Sequence, residues 1–169
     1  TLRIKNLKNN SLLQDEIIKA SPNAIWSNDS EYIIYAKKDD ETLIQNQIYL
    51  HKLGTNQDED KLIYKESDNE FNIWLSESRT KKYIYVYIEK TNSSEVWLMD
   101  KSDPLKPLEL VLKRSEGHLY SVEDGGDYFY ALSNHNDAKN FITELFNVSL
   151  SNREWCEDQI KSRLNNWEF

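Results

Sequence analysis

Three histidines, one cysteine and two acidic runs are the side chains of this sequence best suited to chemistry: His51, His118, His135, Cys156, Asp39-Asp40-Glu41 and Asp58-Glu59-Asp60. Metal signatures usually set histidines or cysteines three or four residues apart, so that one turn presents both to the same ion. None of these histidines has such a neighbour, and they read as surface or strand-end residues. Cys156 lies beside Trp155 between acidic neighbours, with no cation to favour a thiolate, and reads as inert. As a lone cysteine it allows no internal disulfide, which favours a reducing compartment. The only glycines are Gly54, Gly117, Gly125 and Gly126. Their spacing cannot spell a G-x-S-x-G nucleophile elbow, a P-loop or a dinucleotide fingerprint, each of which needs glycines at set positions for a sharp turn or close backbone approach. No catalytic, cofactor-binding or metal-ligating residue is assigned, and no cofactor is expected.

The charge balance narrows the partners. Twenty-one Lys and Arg against 29 Asp and Glu leave a net charge of −8. Basic runs are no longer than pairs such as Lys81-Lys82, so neither nucleic acid nor anionic lipid is expected to bind. The acidic runs read first as solvated surface, with any bias toward cationic partners. No apolar stretch is long enough to cross a membrane as a helix, and no basic-then-apolar leader opens the chain. The sequence starts at Thr1 and reads as an excised segment. Asn92-Ser93-Ser94 spells a glycan acceptor, without consequence in a cytoplasmic setting. At 169 residues, 38% hydrophobic and 12% aromatic, the chain supports one folded body.

Internal repetition identifies the elements. Gln47–Lys52 aligns with Glu95–Asp100 and with Glu144–Ser149, at offsets of 48 and 49 residues. A Tyr- and Ile-rich run precedes each, at Glu31–Ala36, Lys82–Tyr87 and Asp127–Leu132. Lys61–Lys65 and Leu108–Leu112 follow the first two, while Ala24–Ser27, Phe71–Ser76 and His118–Val122 lead in. β-Branched and aromatic runs separated by Asp, Asn, Ser, Gly and Pro predict short antiparallel hairpins. Four strands per period of about 50 residues predict propeller blades. Kelch and Trp-Asp marks are missing, and a β-sandwich is the runner-up. The expected fold is all-β, a partial propeller: residues 1–22 as the last two strands of a blade, 23–67 and 68–114 as whole blades, and 115–169 as a third. That third blade is expected to carry a helical insertion near 151–165, around Trp155, Ile160 and Leu164, and a last strand at Asn166–Phe169. An open stack of this kind is expected to bare apolar faces at both ends and to self-associate.

Several motifs together resemble a known family. Thr1–Lys5, Trp26–Ser30, Lys37–Asp39 with Glu41–Leu43, Gln47–Thr55, Asp60–Glu66, His118–Glu123 and Asp137–Phe141 are similar to the oligopeptidase B, or protease II, branch of the prolyl oligopeptidase family. The segment around 151–165 departs from that pattern. The resemblance implies a cytoplasmic serine oligopeptidase that cuts short peptides after Lys or Arg. It implies a Ser, Asp and His triad on an α/β-hydrolase domain of the same parent chain, covered by a seven-bladed propeller of which this segment is part. No catalytic residue of that family maps here. The propeller would then act as a filter over the triad, with Asp58-Glu59-Asp60 steering cationic peptides. The alternative is a free-standing module that binds protein or glycan through its blade loops.

Overall fold

The computed structural model describes residues 1–126, 129–134 and, for the backbone alone, 142–146. Among the described residues thirteen strands form four antiparallel sheets. β1 (Leu2–Asn6) pairs with β2 (Ser11–Ile17). The second sheet runs β3 (Ala20–Trp26), β4 (Tyr32–Lys38), β5 (Gln45–Lys52) and β6 (Lys61–Lys65), with one 3-10 turn, Gln57–Glu59, ahead of β6. The third runs β7 (Asn72–Glu77), β8 (Tyr83–Lys90), β9 (Ser93–Asp100) and β10 (Glu109–Leu112). The fourth holds β11 (Tyr120–Asp124), β12 (Phe129–Ser133) and β13 (Ile142–Phe146). β3 starts at Ala20, ahead of residue 23 where the sequence put the start of that unit, and shifts register between Ala20 and Ala24. Cys156, His135, the expected insertion near 151–165 and the strand expected at Asn166–Phe169 lie outside the described residues.

Alternation along the middle strands shows how the sheets stack. Successive side chains of a strand point to opposite faces, yet β4 and β8 are buried on both. In β4, Ile33 and Tyr35 pack with Ile4 and Ile17 of the first sheet, while Ile34 and Ala36 pack with Ile73, Leu75, Ile84 and Val86 of the third. β8 repeats this one sheet later. Its Ile84, Val86 and Ile88 face back, and its Tyr85 and Tyr87 face forward onto Tyr120, Val122, Phe129 and Ala131. Each internal sheet is thus pressed between two others, as blades are. A sandwich of two sheets would have one interior, and here three apolar clusters separate four sheets. Burying an Ile, Leu or Val in these seams is worth about 1.5–3 kcal/mol per side chain.

Both ends mix apolar and polar side chains. The outward face of β1–β2 carries Arg3, Lys5, Gln14 and Glu16 beside a single exposed Leu12, with Arg3 and Glu16 paired at 2.8 Å. The outward face of β11–β12 exposes Tyr130 and Leu132 next to Ser121 and Glu123. Apolar side chains are exposed at both ends, Leu7 and Ile18 beside the strands of the first sheet together with Leu12, and Tyr130 and Leu132 on the fourth.

Candidate functional site

The polar side chains of the described residues gather in the seams between sheets. The first seam joins β1–β2 to the β3–β6 sheet. In β2, Leu13, Asp15 and Ile17 share the inward face, so alternation places a carboxylate among apolar neighbours. In β5, Tyr49 and His51 point to the same seam. His51 is fully buried. Its Nε2 lies 3.1 Å from Asp15 Oδ1, and its Nδ1 lies 2.7 Å from Asp60 Oδ1. The Gly54 N–H also donates to Asp15, from a turn that needs a φ of +85°, a left-handed conformation where glycine escapes the Cβ penalty. Tyr35 donates its hydroxyl to Asp60 at 2.7 Å. The Gln57 amide pairs with both backbone groups of Ile18, accepting from the N–H and donating to the carbonyl, each at 3.0 Å.

The environment moves two of these groups. Burial pushes Asp15 up, but the Gly54 N–H and His51 outweigh it and hold its carboxyl below the ordinary aspartate value. Burial, with the Asp60 carboxylate beside it, pushes the Tyr35 hydroxyl far above the usual tyrosine range.

The second seam is mostly apolar, with polar ties at its margins, among them Asn23 Nδ2 to the Leu75 carbonyl and the Gln45 N–H to Asn72 Oδ1. Glu66, 2% exposed, accepts from Arg114 Nη1 at 2.6 Å and Nη2 at 3.3 Å, a fork matched to a carboxylate. Ser67 and Asp68 donate their N–H groups to it at 2.9 Å, and the guanidinium sits 4.1 Å from the Phe71 ring centre. The third seam is closed by hydroxyls. Tyr120, Val122 and Asp124 of β11 donate their N–H groups to Ser94 Oγ, Tyr87 OH and Tyr85 OH, at 2.7, 3.3 and 2.7 Å. Side chains of one blade complete the edge of the next, whose backbone donors would otherwise be buried unpaired. Burial pushes the Tyr87 hydroxyl up to about 12, so it stays a neutral donor and acceptor.

Two sequence expectations are refined. Of the two placements expected, His51 and His118 take the strand-end one and are buried there: His51 is the penultimate residue of β5, and His118 precedes β11, with Nε2 at 2.9 Å from Ser133 Oγ and its ring stacked on Tyr120. Asp60 is unavailable for steering, since its side chain is 1% exposed and bound to His51 and Tyr35, whereas Asp58 and Glu59 are exposed. Sequence reasoning missed Asp15, Glu66, Arg114 and the tyrosine hydroxyls as polar ties. Asp15 carried a readable signal, a charge at an inward position of an alternating strand, which demands a partner. The structure brings His51 and Asp60 together and sets His118, just ahead of β11, against Tyr120 and Ser133 of the fourth sheet. Among the described residues no group of three or more His, Cys, Asp or Glu is disposed to hold a metal.

Known proteins arrange a chain of this kind in the same way. The family model for the prolyl oligopeptidase N-terminal β-propeller domain matches residues 1–165. The chain is 34% identical over 156 residues to dipeptidyl aminopeptidase BI of Pseudoxanthomonas mexicana, covering 92% of this chain and 21% of that one. It is 35% identical over 140 residues to protease 2 of Moraxella lacunata, covering 79% and 20%. Oligopeptidase B from Leishmania major superposes with a TM-score of 0.79 at 24% identity, over 83% of this chain and 20% of that chain, and shows the fold. Oligopeptidase B from Trypanosoma brucei with covalently bound antipain superposes at 0.76 with 26% identity, over 81% and 20%. The chain thus spans about a fifth of the length of the relatives it matches. With four stacked sheets, three internal seams and a domain match along nearly its whole length, the chain belongs to the prolyl oligopeptidase family, as part of its N-terminal β-propeller domain.

Proposed function

We propose that this chain is a section of the wall that a propeller builds over the triad of a cytoplasmic serine oligopeptidase, which cleaves short peptides after Lys or Arg. The supporting observation is where the polar groups point. Asp15 with His51, Glu66 with Arg114, and Tyr85 with the Asp124 N–H bond across seams, which stiffens a wall and leaves none of these side chains facing solvent as a nucleophile with its base. A stiff ring over a triad passes flexible chains, excludes folded ones and keeps water out on closure. Of the acidic run, Asp58 and Glu59 remain to steer cationic peptides, and salt screening beyond about 8 Å keeps that effect small.

The test compares the full-length parent with this chain on peptides carrying Lys or Arg, free and embedded in a folded protein. Turnover is expected from the parent alone and on the free peptides alone. Turnover by this chain, or equal cleavage of the folded substrate, would overturn the reading. Neutralising Asp58 and Glu59 in the parent should flatten the salt dependence of kcat/KM slightly; an unchanged slope would remove steering. In isolation the chain is expected to pair through the Tyr130 and Leu132 face. Its other end exposes Leu7, Leu12 and Ile18, so species larger than a monomer should sediment, and Leu132→Ser should weaken the pairing through the fourth sheet.

A further inference from the structure

The three seams are not equally tight. Eleven buried apolar side chains fill the seam between the second and third sheets, whereas four, Ile4, Ile17, Ile33 and Tyr35, fill the seam at β1–β2. The polar ties across that thinner seam come from one short segment, His51 to Asp60: the ring of His51 and the N–H of Gly54 to Asp15, and the amide of Gln57 to Ile18.

Proton bookkeeping within this cluster is unusual. Both ring nitrogens of His51 face carboxylate oxygens, at 2.7 and 3.1 Å. A carboxylate only accepts, and a neutral imidazole has one N–H and one lone pair, so satisfying both contacts takes two protons between the ring and its two acids. The groups around the ring supply no alternative. Asp15 from β2 already accepts the Gly54 N–H, Asp60 from the turn before β6 already accepts the Tyr35 hydroxyl of β4, and among the described residues neither acid has a Lys or Arg partner. Tyr49 stacks on Tyr35 and turns its hydroxyl to Gln47, away from the cluster. We infer that the Asp15–His51–Asp60 cluster is a proton-held latch, closed while the second proton is present and released on the alkaline side, and that the β1–β2 seam is where this wall loosens first. Removing that proton sets a lone pair against a carboxylate and leaves two buried acids with no cation between them, in a seam with little apolar area to hold it. Its consequence for peptide access would rest on the function proposed above; the latch itself does not, and it is measured without any substrate.

The test is hydrogen exchange of the full-length parent between about pH 6 and about pH 10, beside an Asp60→Asn variant. In that variant the new amide donates to Nδ1 and its oxygen still accepts from Tyr35, so a neutral His51 satisfies every contact with one proton fewer. Protection of segments 11–17 and 48–61 should fall about tenfold in the native protein relative to Asp60→Asn as the pH rises, with 84–99 unchanged between the two. A side-chain nitrogen spectrum of His51 should show both nitrogens protonated at the lower pH. Parallel protection profiles for the two proteins, a loss shared equally by all three seams, or a ring with a single N–H across the range would each overturn the latch. Should Asp60→Asn fail to fold, the nitrogen spectrum and the seam-by-seam comparison in the native protein decide alone.

Discussion

Replacing Arg114 by Met tests whether the seams are held by paired charge or by shape alone. Met keeps an aliphatic stem against Phe71 and removes the guanidinium. Breaking a buried ion pair by removing one partner costs about 3–5 kcal/mol, but Arg114 is 28% exposed and Glu66 keeps the N–H groups of Ser67 and Asp68, which points to the low end. Loss of the contact with the Phe71 ring adds about 0.5–1 kcal/mol. The expected deficit is about 3.5–4 kcal/mol at neutral pH, roughly two and a half to three powers of ten in the folding equilibrium, read from urea unfolding by tryptophan fluorescence.

The pH dependence sharpens this test. In the native chain burial pushes Glu66 up, yet Arg114 and the two backbone donors hold its carboxyl below the ordinary value. A lowered carboxyl stabilises above the unfolded glutamate value, about 4.3, and that contribution is lost as the pH falls through the folded value. Without Arg114 burial gains ground, so protonation relieves the variant, and its deficit should shrink as the pH drops from about 7 to about 5. A deficit below about 1 kcal/mol, or one independent of pH, refutes the reasoning.

The other seams yield predictions of the same kind. Leu75→Ala, in the apolar centre of the second seam, should cost about 2–5 kcal/mol by the same unfolding assay, since stacked sheets collapse poorly into the space left. Tyr85→Phe removes one of the two acceptors of the Asp124 N–H, leaving Glu123 Oε1 at 3.0 Å, and should cost about 0.5–1.5 kcal/mol, with faster exchange at that amide in β11. Asp15 is held low, so its share of stability is present above the unfolded aspartate value of about 3.9 and lost as pH falls through the folded value. An acid titration of Asp15→Asn should therefore run flatter below about pH 4 than that of the native chain.

How much was legible beforehand follows from particular residues. Tyr83–Tyr87 and Ile33–Tyr35 alternate large apolar side chains on both faces, so strands buried on two sides, and hence stacked blades, could be read from local pattern and period. Lys61–Lys65 was placed residue for residue because turn-forming Asn, Gln and Asp bound it on one side and Ser, Asp and Asn on the other. The polar seams were not legible, because Asp15 and His51 are 36 residues apart, and Glu66 and Arg114 are 48 apart. A histidine in a sequence looks the same whether it meets water or two acids. Pattern and period set which residues turn inward, since that choice depends on neighbours one and two positions away. Which inward charge meets which depended on the register and stacking of separate sheets, and those exist only once the chain has folded.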